Sequence, residues 1–175
     1  NKHLLDPKKA YVMLTNDTSQ SDIVICSFDS LNTFKYLAKA ELTKVPVIGY
    51  VVRKLYIPVK RKSKEDRALS MALMGKALAE GISIYIYPEG TRNKTDQPLI
   101  DFYDGAFRLA IEQQAPMAVL TIIGADKRLS PKRLFDLSPG TIKCIWDEPI
   151  ETKGLTQKDT EALKTKVRNV MLSHL

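Results

Sequence analysis

Histidine and cysteine are scarce in this sequence, and both shortages limit the chemistry that the chain can perform. Its 175 residues include only two histidines, His3 and His174 near the two ends, and two cysteines, Cys26 and Cys144. The cysteines are far apart, and neither has the neighbour spacing of a metal or redox motif. We therefore expect free thiols in a reducing compartment, no disulfide and no metal site.

Long apolar runs and glycine-rich phosphate loops are also missing. No apolar run reaches the length of about eighteen residues that a bilayer-spanning helix needs. The opening residues, 1–6, lack a signal-peptide pattern. Gly75-Lys76 falls within a predicted helix and not in a nucleotide-binding loop. Aromatic residues are only 7% of the chain and do not alternate with the cations, which argues against a nucleic-acid partner.

Positive charge, in contrast, is in excess. The net charge is +7, and between residues 52 and 67 seven basic residues stand against two acidic ones. The apolar strings 45–52 and 55–57 adjoin these cations. Such a pattern suits an amphipathic segment at an anionic membrane surface, and a core-facing helix with basic flanks is the alternative.

Strand-like and helix-like segments alternate along the chain. Strands are predicted over 10–14, 33–37, 57–59, 82–87, 117–123 and 141–146, and helices over 22–27, from Ser63 to Glu80, after Asp104 and after Thr156. Ser63 with Asp66, Asp104, and Thr156 with Asp159 are predicted to cap the starts of the last three helices. We expect Leu69, Leu73, Ala77 and Ala72 to share one face of the second helix. The alternation predicts an α/β fold, a single layered domain over 1–175 with a mixed, mostly parallel sheet flanked by helices.

The most informative segment is Tyr87-Pro88-Glu89-Gly90-Thr91-Arg92, which follows the apolar run 81–86. Pro88 removes a backbone donor and favours an extended residue before it, so the strand ends at Tyr87. A carboxylate, a glycine, a hydroxyl and a guanidinium at the carboxyl end of a strand suit an anionic ligand. A solvated loop is the plain alternative.

Three other segments accompany this loop. Asn16-Asp17-Thr18-Ser19-Gln20-Ser21-Asp22 follows the first strand, Ile57-Pro58-Val59-Lys60-Arg61 lies further along the chain, and Pro116 begins the strand Met117-Ala118-Val119. With these blocks in this order, the chain resembles the glycerolipid acyltransferases, whose best-known members are the lysophosphatidic acid acyltransferases. The resemblance spans roughly residues 10–125.

The resemblance implies a glycerol-3-phosphate acyltransferase-like fold and a specific reaction. A fatty acyl group would pass from an acyl thioester, acyl-CoA or acyl carrier protein, to the hydroxyl of a lysophospholipid such as 1-acylglycerol 3-phosphate, giving phosphatidic acid without a cofactor. The expected location is cytoplasmic, at the inner face of the cell membrane, with an anionic membrane surface as partner. Members commonly carry an amino-terminal membrane anchor, and we expect this chain to be a soluble portion without it.

Carried over residue by residue, the resemblance also names the substrate-binding residues. They are Arg61, Glu89, Gly90, Thr91 and Arg92. Arg92 would contact the phosphate of the acceptor, because a guanidinium can meet phosphate oxygens in a fork. For Arg61 a solvated position in a basic surface is the alternative, since lysines flank it on both sides.

The first block departs from the family at its central position. The family pattern is Asn-His-(four residues)-Asp, in which the histidine is the general base and the aspartate orients it. Here Asp17 takes the place of the histidine, and Asp22 takes the place of the aspartate. A carboxylate is a weak base at neutral pH and has a shorter arm than histidine. We therefore expect a catalytic pair of Asp17 and Asp22 with impaired activity.

Three explanations of Asp17 remain open. It is a substitution that disables the enzyme, a natural change that alters its chemistry, or the mark of a non-catalytic lipid- or phosphate-binding member. If both carboxylates enter one site, repulsion between them raises the pKa of one. In a purely structural interpretation, Asp17 is a turn residue and Ser21 caps a helix that begins near Asp22.

Overall fold

A six-stranded sheet organises the computed structural model, which describes residues 1–19, 21–30, 32–44, 48–59, 63–128 and 138–175. The strands are β1 Val12–Thr15, β2 Phe34–Lys39, β3 Tyr56–Val59, β4 Ser83–Ile86, β5 Met117–Ile123 and β6 Lys143–Trp146. The helices are α1 Asp22–Asp29, α2 Ile48–Leu55, α3 Lys64–Ala79, α4 Gly105–Gln113, α5 Ala125–Arg128 and α6 Thr160–Leu172. Short 3₁₀ turns lie at Lys2–Leu4, Ala40–Lys44 and Gln157–Asp159.

The strand order is β3-β2-β4-β1-β5-β6, and only the β5–β6 pair is antiparallel. This arrangement confirms the predicted fold class, a mixed and mostly parallel sheet flanked by helices. Each predicted strand is present, with ends that differ from the prediction by at most two residues. The apolar segment after residue 47 contains the helix α2, and a helix is compatible with both alternatives, a membrane-interface segment and a core-facing helix.

Successive residues of the central strands face opposite sides of the sheet, and both sides are buried. In β1, Val12 and Leu14 join the core beneath α3, α4 and α6, whereas Met13 joins the core beneath α1. The α1 side is rich in aromatic rings, including Tyr85 and Trp146. Burial on both sides explains why the strands read as continuous apolar runs.

The predicted helix ends are partly right. The Ser63 hydroxyl accepts a hydrogen bond from the Asp66 N–H at 3.0 Å, and Thr156 forms a capping box with Asp159. Ser21 and Asp104 lie at helix starts but make no capping hydrogen bond through their side chains, so those two predictions are wrong. Both have helical backbone angles, from which the side chain does not reach the first turn.

The predicted apolar face of α3 is buried only in part. Leu69 and Leu73 are 62% and 39% exposed, and the buried apolar residues of the helix are Met74, Ala77 and Leu78. Gly75 is buried as well, and a Cβ there would lie 2.8 Å from the Gln113 side chain of α4. Because α3 packs closely on α4 at Gly75, the face with Met74 and Leu78 is buried and the face with Leu69 and Leu73 is exposed.

Candidate active site

The two polar loops singled out in the sequence leave the sheet side by side. β1 and β4 are adjacent and parallel, with Leu14 paired to Ile86. Residues 16–22 therefore follow β1 at the same edge at which residues 87–92 follow β4. This edge, at the carboxyl ends of parallel strands, is where α/β sheets commonly bind ligands.

Direct contacts join the two loops. Asp17 Oδ1 lies 3.7 Å from Arg92 Nε, and the two side chains are 18% and 30% exposed. The backbone carbonyl of Asp17 accepts a hydrogen bond from Asn93 N–H at 2.8 Å. Burial raises the pKa of the Asp17 carboxyl, and the nearby Arg92 charge opposes that rise. Asp17 and Arg92 thus share one partly open site.

Glu89, in the loop after β4, accepts a further hydrogen bond from the loop after β1. It is 1% exposed, its Oε1 accepts from Asp17 N–H at 3.1 Å, and its Oε2 accepts from Ile100 N–H at 3.0 Å. Burial raises its pKa, while these two backbone donors oppose the rise. Both carboxylate oxygens are engaged inside the protein, which gives Glu89 a structural role that the sequence did not predict.

Asp22 begins α1 and is 1% exposed. Its Oδ2 accepts two backbone hydrogen bonds, from Thr18 and Ser19, each at 2.7 Å. Its Oδ1 is buried, and the described part of the chain supplies no hydrogen-bond partner for it. Burial raises the pKa of Asp22 to about 6 against the opposing effect of the two backbone donors, and the Asp17 charge raises it further.

Asn16 fixes the start of the first loop. Its side-chain amide donates to the Ile122 carbonyl and accepts from the Ile122 N–H, both at 2.8 Å. The residue is fully buried, so this pair of bonds ties the loop to β5, two strands away from Arg92. An asparagine directly after a strand was the only signal of this role in the sequence.

Gly90 adopts a backbone angle that favours glycine, with φ of 68°. A Cβ at this position would lie 2.8 Å from the Tyr103 ring, whose residue is 70% exposed. The Tyr103 N–H donates to the Pro88 carbonyl at 2.8 Å. Tyr103, which was not among the predicted site residues, therefore borders the loop at Gly90. The next residue, Thr91, is exposed.

The remaining residues with predicted roles lie elsewhere. Arg61 is outside the described residues, so its phosphate contact stays a prediction. His3 precedes β1, and His174 Nε2 lies 2.9 Å from Asp147 Oδ1, just beyond the end of β6. Because Trp146 of β6 pairs with Leu120 and Lys143 pairs with Ile123, Asp147 lies toward the edge opposite the site. Neither histidine replaces Asp17.

Within the described ranges, no group of three or more histidine, cysteine, aspartate or glutamate side chains is arranged to hold a metal ion. In the same residues no helix is both long and apolar enough to cross a membrane. Neither Cys26 nor Cys144 is in a disulfide.

A sequence model of the acyltransferase family matches residues 1–123. The chain belongs to the acyltransferase family. Among its relatives is the mouse 1-acyl-sn-glycerol-3-phosphate acyltransferase alpha, 28% identical over 98% of this chain and 60% of that protein. An uncharacterized acyltransferase of Schizosaccharomyces pombe is 27% identical over 98% of this chain and 62% of that protein. The resemblance to the glycerolipid acyltransferases is thereby confirmed.

The fold agrees with the sequence comparison. The crystal structure of the 1-acyl-sn-glycerophosphate (LPA) acyltransferase PlsC from Thermotoga maritima superposes on this acyltransferase-family chain with a TM-score of 0.81. The match covers 98% of this chain and 67% of that one, at 23% identity. The chain spans about six-tenths of the length of the mouse and fission-yeast relatives.

Proposed function

We propose that this chain transfers a fatty acyl group from an acyl thioester to the hydroxyl of a lysophospholipid such as 1-acylglycerol 3-phosphate, giving phosphatidic acid. The observation that carries the proposal is the meeting of the Asp17 loop and the Arg92 loop at one sheet edge. Family membership and the activities named for the relatives support it.

The reaction needs a base and an anion-binding group, and the two loops supply one each. The acceptor hydroxyl attacks the thioester carbonyl, the carbon–sulfur bond breaks, and the hydroxyl proton passes to a base at position 17. An imidazole at position 17 would direct one N–H at the carboxylate of Asp22, in the way that the aspartate of a serine-protease triad orients its histidine. Arg92 would hold the headgroup phosphate.

Asp17 weakens both parts of this mechanism. Its carboxylate is a poorer base than imidazole at neutral pH, although burial raises its pKa toward a more useful range. It also lies beside Arg92, so an incoming phosphate has to compete with the carboxylate for the guanidinium. We therefore propose slow acyl transfer for the chain as it stands.

The same proposal includes contact of the protein with a membrane surface. α2 exposes Tyr50 and Leu55, which are 63% and 60% accessible, and the exposed Lys54 lies next to Leu55. Apolar side chains beside a cation suit contact with an anionic lipid surface, where the lysophospholipid would be found. We propose a peripheral position at the inner face of the cell membrane, with acyl-CoA or acyl carrier protein as donor.

A binding function without catalysis is the second candidate, and Asp17 is the observation that favours it. The two candidates can be separated by measuring thiol release from acyl-CoA in the presence of 1-acylglycerol 3-phosphate. Asp17→His should raise the rate by roughly 10²-fold or more, because a positioned general base contributes that much. Adding Asp22→Asn to Asp17→His should remove most of the gain.

Lipid binding distinguishes the remaining outcomes of this experiment. If neither the parent protein nor Asp17→His shows turnover, calorimetry decides. Binding of 1-acylglycerol 3-phosphate that Arg92→Ala abolishes would favour the binding function. Neither turnover nor binding would contradict both candidates. Circular dichroism of each variant checks that the fold is retained.

A further inference from the structure

Two tyrosines near the end of β4 place phenol groups on the α1 side of the sheet. Tyr85 is 1% exposed, and Tyr87 follows two residues later, so side-chain alternation directs both rings to the same face. Both hydroxyl oxygens are buried, and neither has a hydrogen-bond partner within the described ranges. A buried polar group without a partner is uncommon and calls for a physical explanation.

The two phenols have different neighbours. Leu14 pairs with Ile86, so Tyr87 is level with Thr15, the last residue of β1 and the one directly before the site loop. Burial is the main cause of the raised pKa of Tyr87, and the charges of Asp22 and Asp17 contribute to it. The charged carboxylate that acts on Tyr85 is instead Asp29, at the far end of α1.

Asp22 supplies the complementary group. Its Oδ1 is buried without a donor, whereas its Oδ2 already holds two backbone N–H groups. Tyr87 therefore offers a proton without an acceptor, and Asp22 offers an acceptor without a donor, on the same face of the sheet. Pairing the two would give each of these buried groups a partner and remove the cost of leaving both unsatisfied.

We propose that Tyr87 is a positioning residue for Asp22, with its phenolic O–H directed at Asp22 Oδ1. Donation to the carboxylate favours its ionised form and fixes the plane of the carboxyl group. Because its own pKa is raised, Tyr87 stays protonated and remains a donor at neutral pH. The significance of this pair for catalysis rests on the proposed acyl transfer, but the pair itself does not.

A matched pair of variants tests the proposal. Tyr87→Phe and Tyr85→Phe each remove one buried hydroxyl from the same side of the sheet and keep the ring that packs there. The carboxyl carbon of Asp22, assigned in ¹³C-aspartate-labelled protein with Asp22→Asn, reports its titration by NMR. Tyr87→Phe should raise the pKa of Asp22 by about one unit, and Tyr85→Phe should leave it unchanged.

No change with Tyr87→Phe, or an equal change with both variants, would overturn the proposal. This titration needs no turnover, so it decides the role of Tyr87 even if acyl transfer is never observed. Where Asp17→His is active, adding Tyr87→Phe should lower kcat several-fold, shift the pH profile and leave KM for the acceptor unchanged. Tyr85→Phe in the same background should change none of these.

Discussion

At the scale of single residues, position 17 is defined by its neighbours as much as by its own chemistry. Two hydrogen bonds hold the Asp17 backbone: its N–H donates to the Glu89 carboxylate, and its carbonyl accepts from Asn93 N–H. A histidine at this position would inherit the same fixed backbone and would reach further from it. It would also leave Arg92 without its carboxylate neighbour, so Asp17→His should restore both base and anion site.

Asp22 is expected to reduce the stability of the folded protein at neutral pH. Its folded pKa, about 6, is above the ordinary value of 3.8, so the native state binds this proton more tightly than the unfolded state does. The contribution of Asp22 is therefore most favourable below pH 4 and is lost as the pH rises through 6. At pH 8 the ionised, buried carboxylate should lower the free energy of unfolding by about 2–3 kcal/mol.

Asp22→Asn tests this expectation because asparagine keeps an oxygen for the two backbone donors. Urea unfolding should find the variant more stable than the parent protein at pH 8, with a smaller difference at pH 5. Asp101→Asn, at an exposed carboxylate, is the control and should change neither value. A variant less stable than the parent at pH 8 would contradict the expectation. The gain in stability should be accompanied by loss of acyl transfer.

At the scale of secondary-structure elements, the patterns that depend on near neighbours could be predicted and the long-range contacts could not. Alternation and turn residues located the strands, and the alternation of strands with helices predicted a mostly parallel sheet, but not which strands are neighbours. The hydrogen bond from Asp17 N–H to Glu89 and the bond from the Asn16 amide to the Ile122 carbonyl join residues 72 and 106 positions apart. Nothing local to either residue specifies such a partner.

Helix caps illustrate the same limit within a single element. Ser21 and Ser63 both precede helices with an acidic first turn, and the sequence predicted a cap at each. Ser63 is extended, with φ of −117° and ψ of 170°, whereas Ser21 has helical angles of −75° and −14°. The Thr18 and Ser19 N–H groups donate to Asp22 and not to Ser21, so the loop before the helix follows the hydrogen bonds of Asp22.

Ser63→Ala should therefore destabilise the protein by about 1 kcal/mol, because the Asp66 N–H loses its acceptor at the start of the sixteen-residue helix α3. Ser21→Ala is the matched substitution without a capping bond and should cost less. The midpoints of urea unfolding, measured for both variants at one pH, give the comparison. Equal losses in the two would show that the Ser63 hydrogen bond does not contribute.

At the scale of the whole molecule, charge and exposed apolar surface are distributed unevenly. The net charge is +7, and α2 presents Tyr50 and Leu55 beside the outer strands β2 and β3. α6, in contrast, packs near β5, toward the opposite end of the strand order, and its Leu172 is 37% exposed. If the protein approaches a membrane through α2, these two helices should differ in their effect on lipid binding.

Flotation with vesicles of phosphatidylglycerol and phosphatidylcholine measures that difference. The double variant Tyr50→Ser, Leu55→Ser should bind roughly tenfold more weakly than the parent, since it withdraws two partly inserted apolar side chains. Leu172→Ser is the matched control on α6 and should bind as the parent does. Raising the salt concentration should weaken binding of all three proteins, because the positive charge contributes to each. Unchanged binding by the double variant would exclude α2 as the lipid-facing element and leave the net charge as the only attraction to the vesicle.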